Sequence, residues 1–440
     1  MKITEFSSEL LRERYVRIDH KSGLQIYVFP KKLTTAYAIF ATRYGSLNNA
    51  FRLAGDAEVK CVPDGIAHFL EHKLFENEDG SDAFERFAEL GADANAYTSY
   101  ERTAYLFSCT EHFEQSLEEL LRFVTSPHFT PESVEKEQGI IGQEIREYED
   151  NPWERCFQNL AEAMYREHPI RKNICGTEES IAQITDVLLY DCYRVFYRLS
   201  NMVLVVCGDV TPEQVCMVAD RVLPAETAEG EIERIFPDEP SGVMRAYTEA
   251  LMPVSKPIFS IGIKDPEVPN DPGERFRRDA ALALLDDILF SRAGDFYNAL
   301  FEEGVITPSF VAGYSCAEGF GFHCISGESD TPQLVLEHLK EYLKQMAQKG
   351  IPDEDFERCR RVMYADEMRA YDSTEEIAGR MVSCIFEGVE IFSYLPLLQS
   401  IEKKELETLL EQMICEDRFA LSVIRPIAEE ERMAEHEGID

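Results

Sequence analysis

Basic charge is scarce in this sequence. Lysine and arginine number 44 against 82 aspartates and glutamates in 440 residues, a formal net charge of -38. Nucleic-acid backbones are bound through basic surfaces, so nucleic acid is not an expected partner. Closely paired cysteines are also missing: the twelve cysteines run from Cys61 to Cys415 without one CxxC. Scattered thiols in a long chain predict reduced cysteines and a cytoplasmic location. No uninterrupted apolar run reaches 18 residues, so no membrane-spanning helix is predicted. The opening stretch MKITEFSSELLRERYV lacks the apolar centre of a secretory signal. Histidine is rare as well, nine in all, yet two fall within the five residues HFLEH, 68–72.

What is present supports a folded protein of two or three domains, with 45% hydrophobic residues to build cores. LQIYVFP and AYAIFATRYGS read as strands joined by a Lys-Lys turn. Helices are predicted over 65–76, 82–90, 112–124 and 131–148, with ANAYTSYERTAYLFSC a β-hairpin between the second and third. NMVLVVCGDV is an apolar strand, and TPEQVCMVADRVL a capped helix. The acidic stretch 226–242, rich in Pro and Gly, then reads as a linker. After it the pattern restarts. HFLEHKLF lies over ALLDDILF, GSDAFERFAELG over AGDFYNALFEEG, and TSYERTAYLFSC over AGYSCAEGFGFHC. A repeat of half the chain length means a duplicated domain. The expected organisation is residues 1–225, the linker 226–242, and a degenerate second copy, 243–440. That copy has Ala283, Asp286 and Asp287 where the first has His68, Glu71 and His72, so one metal site per chain is expected.

On a helical wheel, His68, Glu71, His72 and Phe75 share one face, while Ile66, Phe69, Leu70 and Leu74 take the other. Lys73 falls near the apolar side and would have to snorkel. Histidines at i and i+4 can both reach one zinc ion, and the glutamate beside them is placed to hold a water. A catalytic zinc takes a third protein ligand and leaves one position open. In SVEKEQGIIGQEIREYEDNP the apolar arc Val134, Ile141, Ile145 and Tyr148 also contains Glu137 and Glu144. A carboxylate on a buried face is costly unless paired or metal-bound. Glu144 is therefore the candidate third ligand, and Glu137 the candidate partner that holds and orients a ligand without binding the metal itself.

HFLEHKLFE, GADANAYTSYERTAYLF and EKEQGIIGQEI, in that order, resemble the pitrilysin/insulinase family of zinc metallopeptidases, strongest over residues 37–212 and closest to its short bacterial type. The resemblance implies an α+β fold of two homologous halves, each an antiparallel sheet with helices packed on it. It implies zinc on His68, His72 and Glu144, Glu71 as general base, and Glu137 supporting the catalytic site. Substrate peptide would lie along the edge strand containing Ala94, Asn95, Ala96 and Tyr97, an arrangement that suits strand addition to a sheet edge. The family's second half commonly carries an Arg and a Tyr in a pattern like LREKGLAY. Here the stretch is LFEEGVIT, with Phe301 and Thr307 at those positions. A dimer follows as an expectation, either a heterodimer in which a homologous partner subunit supplies the Arg/Tyr pair or a homodimer that lacks the pair. The rival readings are a non-catalytic, peptide-binding subunit and a zinc hydrolase acting on something other than peptides.

Overall fold

Three apolar runs, QIYVFP, AYAIFAT and MVLVVCG, form strands β3 (Gln25–Pro30), β4 (Ala36–Thr42) and β9 (Met202–Gly208). They are buried along almost their whole length, as strands covered on both faces must be. The computed structural model describes residues 2–78, 80–225 and 230–427. These three strands form the centre of a seven-stranded sheet ordered β1-β2-β3-β9-β4-β8-β7. The others are β1 (Lys2–Ser8), β2 (Glu13–Asp19), β7 (Asp93–Thr98) and β8 (Thr103–Cys109). Both predicted strands form, but β3 and β4, consecutive in sequence, do not pair with each other. β9 lies between them, parallel to β3 and antiparallel to β4. Its apolar side chains displace a local hairpin by filling the most buried position of the sheet. The predicted hairpin β7–β8 does form, leaving β7 as an edge.

Alternate residues of the central strands point to opposite faces. Ala38, Phe40, Leu204 and Val206 enter one core, shared with helices α1 (Ile66–Leu74), α2 (Ala83–Glu89) and α3 (Phe113–Thr125). The helix Thr374–Phe386 packs on β4 and β9. Arg43 donates to the Ile385 carbonyl at 3.0 Å, and Arg102 to Ser383 Oγ at 2.8 Å.

A second sheet is ordered β11-β15-β12-β14-β13, from β11 (Tyr247–Met252), β12 (Ile258–Lys264), β13 (Val311–Ala317), β14 (Phe320–Glu328) and β15 (Phe419–Pro426). Helix α4 (Pro131–Asp150) is followed by α5 (Pro152–Met164), and α5 lies on β15 and β12. Its approach is close enough that a Cβ at Gly262 would overlap the Met164 sulfur. The fold is thus α+β, with two halves repeating one element order. Pro272–Phe290, Asp295–Glu302 and the β13–β14 hairpin reprise α1, α2 and β7–β8. Both of these sheets are mixed: β3–β9 is the parallel pair of the first and β11–β15 that of the second.

The compact units differ from the contiguous halves expected from sequence. One comprises residues 1–145, 173–236 and 366–394; the other comprises 146–172, 237–365 and 395–440. The reason is that α5 packs on the second sheet and Thr374–Phe386 on the first. The predicted linker is also structured where described, residues 226–229 lying outside the described residues. β10 (Ile232–Arg234) pairs with β5 (Ala50–Leu53), which also pairs with β6 (Lys60–Cys61). Within the second unit, the Glu239 carboxylate accepts from the amides of Arg166, Glu167 and His168 at 3.0, 2.8 and 2.9 Å and from Lys264 Nζ at 2.7 Å. No single helix among the described residues is long and apolar enough to cross a membrane.

Candidate metal centre

Helix α1 starts abruptly. Gly65 precedes it at φ +89, a region that favours glycine, with no side-chain cap. The site is crowded: a Cβ at Gly65 would overlap the Cys175 carbonyl. Gly176 sits at φ +77 against Asp64, and Ser180 Oγ donates to the Asp64 carbonyl at 2.8 Å. The turn before α1 and the loop at 173–180 are thus locked together. Ile66, Phe69, Leu70 and Leu74 anchor the helix in the core. Lys73 departs from expectation. It does not snorkel but is fully buried, its ammonium paired with Glu76.

The opposite face of α1 presents both imidazoles to α4. Val134, Ile141 and Ile145 bury that helix; Tyr148 is 39% exposed, so the buried stripe is shorter than its sequence suggests. Glu144 Oε1 lies 3.6 Å from His68 Nε2, and Oε2 lies 3.5 Å from His72 Nε2. The three donors lie within 4.8 Å of one another, and among the described residues this is the one such group of three. Glu137 does not point at this triangle. Its Oε1 lies 3.0 Å from His72 Nδ1, the nitrogen left over when Nε2 faces Glu144.

The donor set fits a zinc ion. Imidazole binds metal as the neutral base, and burial, reinforced by His72, depresses His68 to about 3. His68 Nδ1 is buried without a hydrogen-bond partner, so Nε2 carries this ring's polar role. His72 is raised instead: burial opposes its charge, but the bond to Glu137 and the nearby Glu71 and Glu144 outweigh it. A cation between the rings would replace the proton those carboxylates attract.

Glu71, about one turn after His68 and next to His72, accepts from Thr98 Oγ1 at 2.6 Å. Thr98 Oγ1 lies 3.2 Å from Thr103 Oγ1, which donates to the Tyr44 carbonyl at 2.8 Å. Burial raises the Glu71 pKa, and Thr98 partly offsets that. Sequence reasoning missed Thr98, because its role depends on α1 crossing the end of β7. It also missed Cys175, whose Sγ lies 3.9 Å from His68 Nε2. Neither carries a local motif.

Beside the triangle opens a cleft of about 490 Å³. Glu71, His72 and Glu137 line it together with Phe75, Phe84 and Ile140. Asn95 and Ala96 contribute from the edge strand, where Asn95 Oδ1 accepts from the Ala96 amide at 2.8 Å. Tyr97 is 38% exposed, and Ala94 packs against the core. In the second half, Asp286 instead pairs with His323 at 2.8 Å, both buried. Phe301 is exposed and stacks on Tyr297, and Thr307 Oγ1 lies 2.7 Å from Ser309 Oγ.

Residues 61–178, which hold all of these α1, β7 and α4 groups, match the sequence profile described as insulinase (Peptidase family M16), and residues 184–363 match the Peptidase M16 inactive domain. The chain belongs to peptidase family M16. It is 38% identical over 421 residues to the uncharacterized zinc protease YmfH of Bacillus subtilis, covering 95% of this chain and 98% of that protein. A second likeness is to the uncharacterized zinc protease YmxG of the same organism, 24% identical over 82% of this chain and 88% of the relative. Among solved structures, the putative M16-like peptidase from Alicyclobacillus acidocaldarius superposes with a TM-score of 0.89 at 34% identity, covering 93% of this chain and 98% of the other. The M16 inactive-domain match, residues 184–363, contains neither His68 nor His72.

Proposed function

We propose that this chain is a zinc-dependent endopeptidase that cleaves extended peptides or unfolded segments. The observation that carries the reading is the convergence of His68 and His72 from α1 with Glu144 from α4, with Glu71 held beside them by Thr98. A zinc ion bound there supplies Lewis acidity and lowers the pKa of water. The chain's own residues do the rest. Glu137 fixes the His72 ring through Nδ1. Glu71, raised by burial and close to the donors, takes a proton from the attacking water and returns it to the leaving amine. The edge strand β7 offers main-chain groups to an extended peptide, and the Asn95 side chain on the Ala96 amide is what an incoming strand would displace.

Glu71→Gln tests this. Cleavage of a quenched peptide should fall by at least about a hundredfold, on the scale of general acid–base catalysis, while zinc content stays at one per chain. Loss of zinc together with activity would remove the role given to Glu71.

A second reading is favoured by Phe301 and Thr307: the chain works with a homologous subunit that brings an Arg/Tyr pair. Activity of the isolated chain, measured against activity after co-purification with such a homologue, separates the two. The twelve free thiols suit a reducing compartment, and we place the protein in the cytoplasm.

A further inference from the structure

We propose that the cavity lined by Arg43, Arg198 and Arg234 binds the phosphate groups of a small molecule. The three guanidiniums line one cavity of about 350 Å³, at the end of the first sheet where β3 and β9 begin and β4 has just ended. Its whole lining lies in the first compact unit and shares no residue with the metal centre. Three arginines in one cavity run against the composition, in which lysine and arginine together are 44 of 440 residues and the net charge is -38.

The three forks are held in place. Asn201 ties their segments together: its amide donates to the Arg198 carbonyl at 2.8 Å, and its carbonyl accepts from the Arg43 amide at 3.2 Å. Asn201 Oδ1 accepts from Arg234 at 3.4 Å, and Arg234 also donates to the Arg43 carbonyl. Arg43 donates to the Ile385 carbonyl and lies 5.1 Å over the Phe386 ring. Arg198, 7% exposed, donates through Nε to the Val195 carbonyl at 2.9 Å and through Nη1 to the Gly230 carbonyl at 3.3 Å. These oxygens are uncharged, so the bonds aim the forks without neutralising them. Burial works against the Arg43 charge, and Glu387 and Glu101 restore part of it; a guanidinium stays protonated throughout. Glu231 is the one carboxylate among the lining residues, and it is exposed.

The number of forks points to phosphate. A carboxylate has two oxygens in one plane and is satisfied by one bidentate arginine. A phosphate presents its oxygens in three dimensions, and a polyphosphate more of them, so several forks can engage it at once. A second cleft of about 280 Å³ adjoins the cavity and shares Gln25 and Ile385 with it. Phe6, Tyr15 and Tyr27 line that cleft, and the Tyr27 hydroxyl donates to Gln25 Oε1 at 3.0 Å. Aromatic walls take the flat face of a nucleobase. One nucleotide would then place its base there and its phosphates among the arginines.

The test titrates the full chain with ATP and with inorganic pyrophosphate by calorimetry, at low and at high ionic strength. Both should bind, and more weakly as salt screens the guanidiniums. Tighter binding of ATP assigns the site to nucleotides; equal binding assigns it to inorganic phosphates. Arg43→Gln and Arg234→Gln should each weaken binding roughly tenfold or more, the scale of a hydrogen bond to a charged group. Those arginines also hold main-chain oxygens, so Ser200→Glu is the second variant. Ser200 is an exposed residue of the cavity wall, and the change adds a negative charge while keeping every arginine. It should weaken both ligands by a similar factor, and Ser200→Gln should bind them like the wild type. Circular dichroism checks folding of each variant. Failure of both ligands to bind overturns the site. Binding that a folded Ser200→Glu protein retains in full places the ligand elsewhere, the metal centre included, and overturns it too.

Discussion

Glu137 Oε1 sits 3.0 Å from Nδ1 of His72, while the same ring's Nε2 faces Glu144 at 3.5 Å. One imidazole thus connects two carboxylates of α4 that are seven residues, or two turns, apart. Glu137→Gln keeps a hydrogen-bonding group but removes the charge; Glu137→Ala removes both. Zinc affinity should fall by about 10–100-fold in the alanine variant and less in the glutamine variant. Competition with a chromogenic chelator measures both. Equal affinities in all three proteins would remove Glu137 from the site.

Thr98 stabilises the charged form of Glu71. Its donation opposes the upward pull of burial, so Thr98→Val should raise the Glu71 pKa further. A base is useful only when ionised, so the acidic limb of the kcat/KM profile should move to higher pH. An unchanged limb would mean that another group sets it.

Glu239 provides a pH test remote from catalysis. Burial would raise its pKa, but Lys264 and three backbone amides hold it down to about 2. A depressed carboxylate stabilises the native state above its unfolded pKa, about 4.3. That contribution declines as pH falls from there toward 2. Acid unfolding should therefore begin earlier in Glu239→Gln, and at neutral pH the variant should lose about 3–5 kcal/mol, the cost of leaving one partner of a buried pair alone. Urea unfolding at pH 7 and pH 4 measures it, and the wild-type advantage should shrink at the lower pH.

Gly65→Ala should damage fold and metal site together. The positive φ costs about 1–3 kcal/mol for a residue with a Cβ, and the overlap with the Cys175 carbonyl adds to it. Thermal unfolding with and without zinc should show a lower midpoint and a smaller zinc-induced rise than in the wild type. Gly91→Ala, also at positive φ but with nothing near its Cβ, should cost stability and leave the zinc-induced rise unchanged.

The convergence of the three candidate donors is legible in the sequence because all of them sit on helices, where burial period and spacing can be read together. Two histidines one turn apart needed only α1, and Glu144 stood out as a charge on an apolar stripe. Thr98, Cys175 and the β3–β9–β4 order were not legible. Each depends on segments far apart in sequence meeting in space, and no local period encodes that. Lys73 is buried and does not snorkel because its ammonium pairs with Glu76, two residues past the end of α1. The duplicated order of elements was readable, but the helices that pack across it were not, since α5 and Thr374–Phe386 carry ordinary amphipathic patterns with no mark of which sheet they will cover.

That packing limits how the gene can be cut. A fragment ending at residue 225 would retain every predicted zinc ligand yet lack Thr374–Phe386, leaving the apolar side of β4 and β9 bare to water. It would also release α5 without β12 and β15 to bury Cys156 and Leu160. Such a piece should collect in inclusion bodies, and supplying residues 226–440 in trans during expression should return it to the soluble fraction.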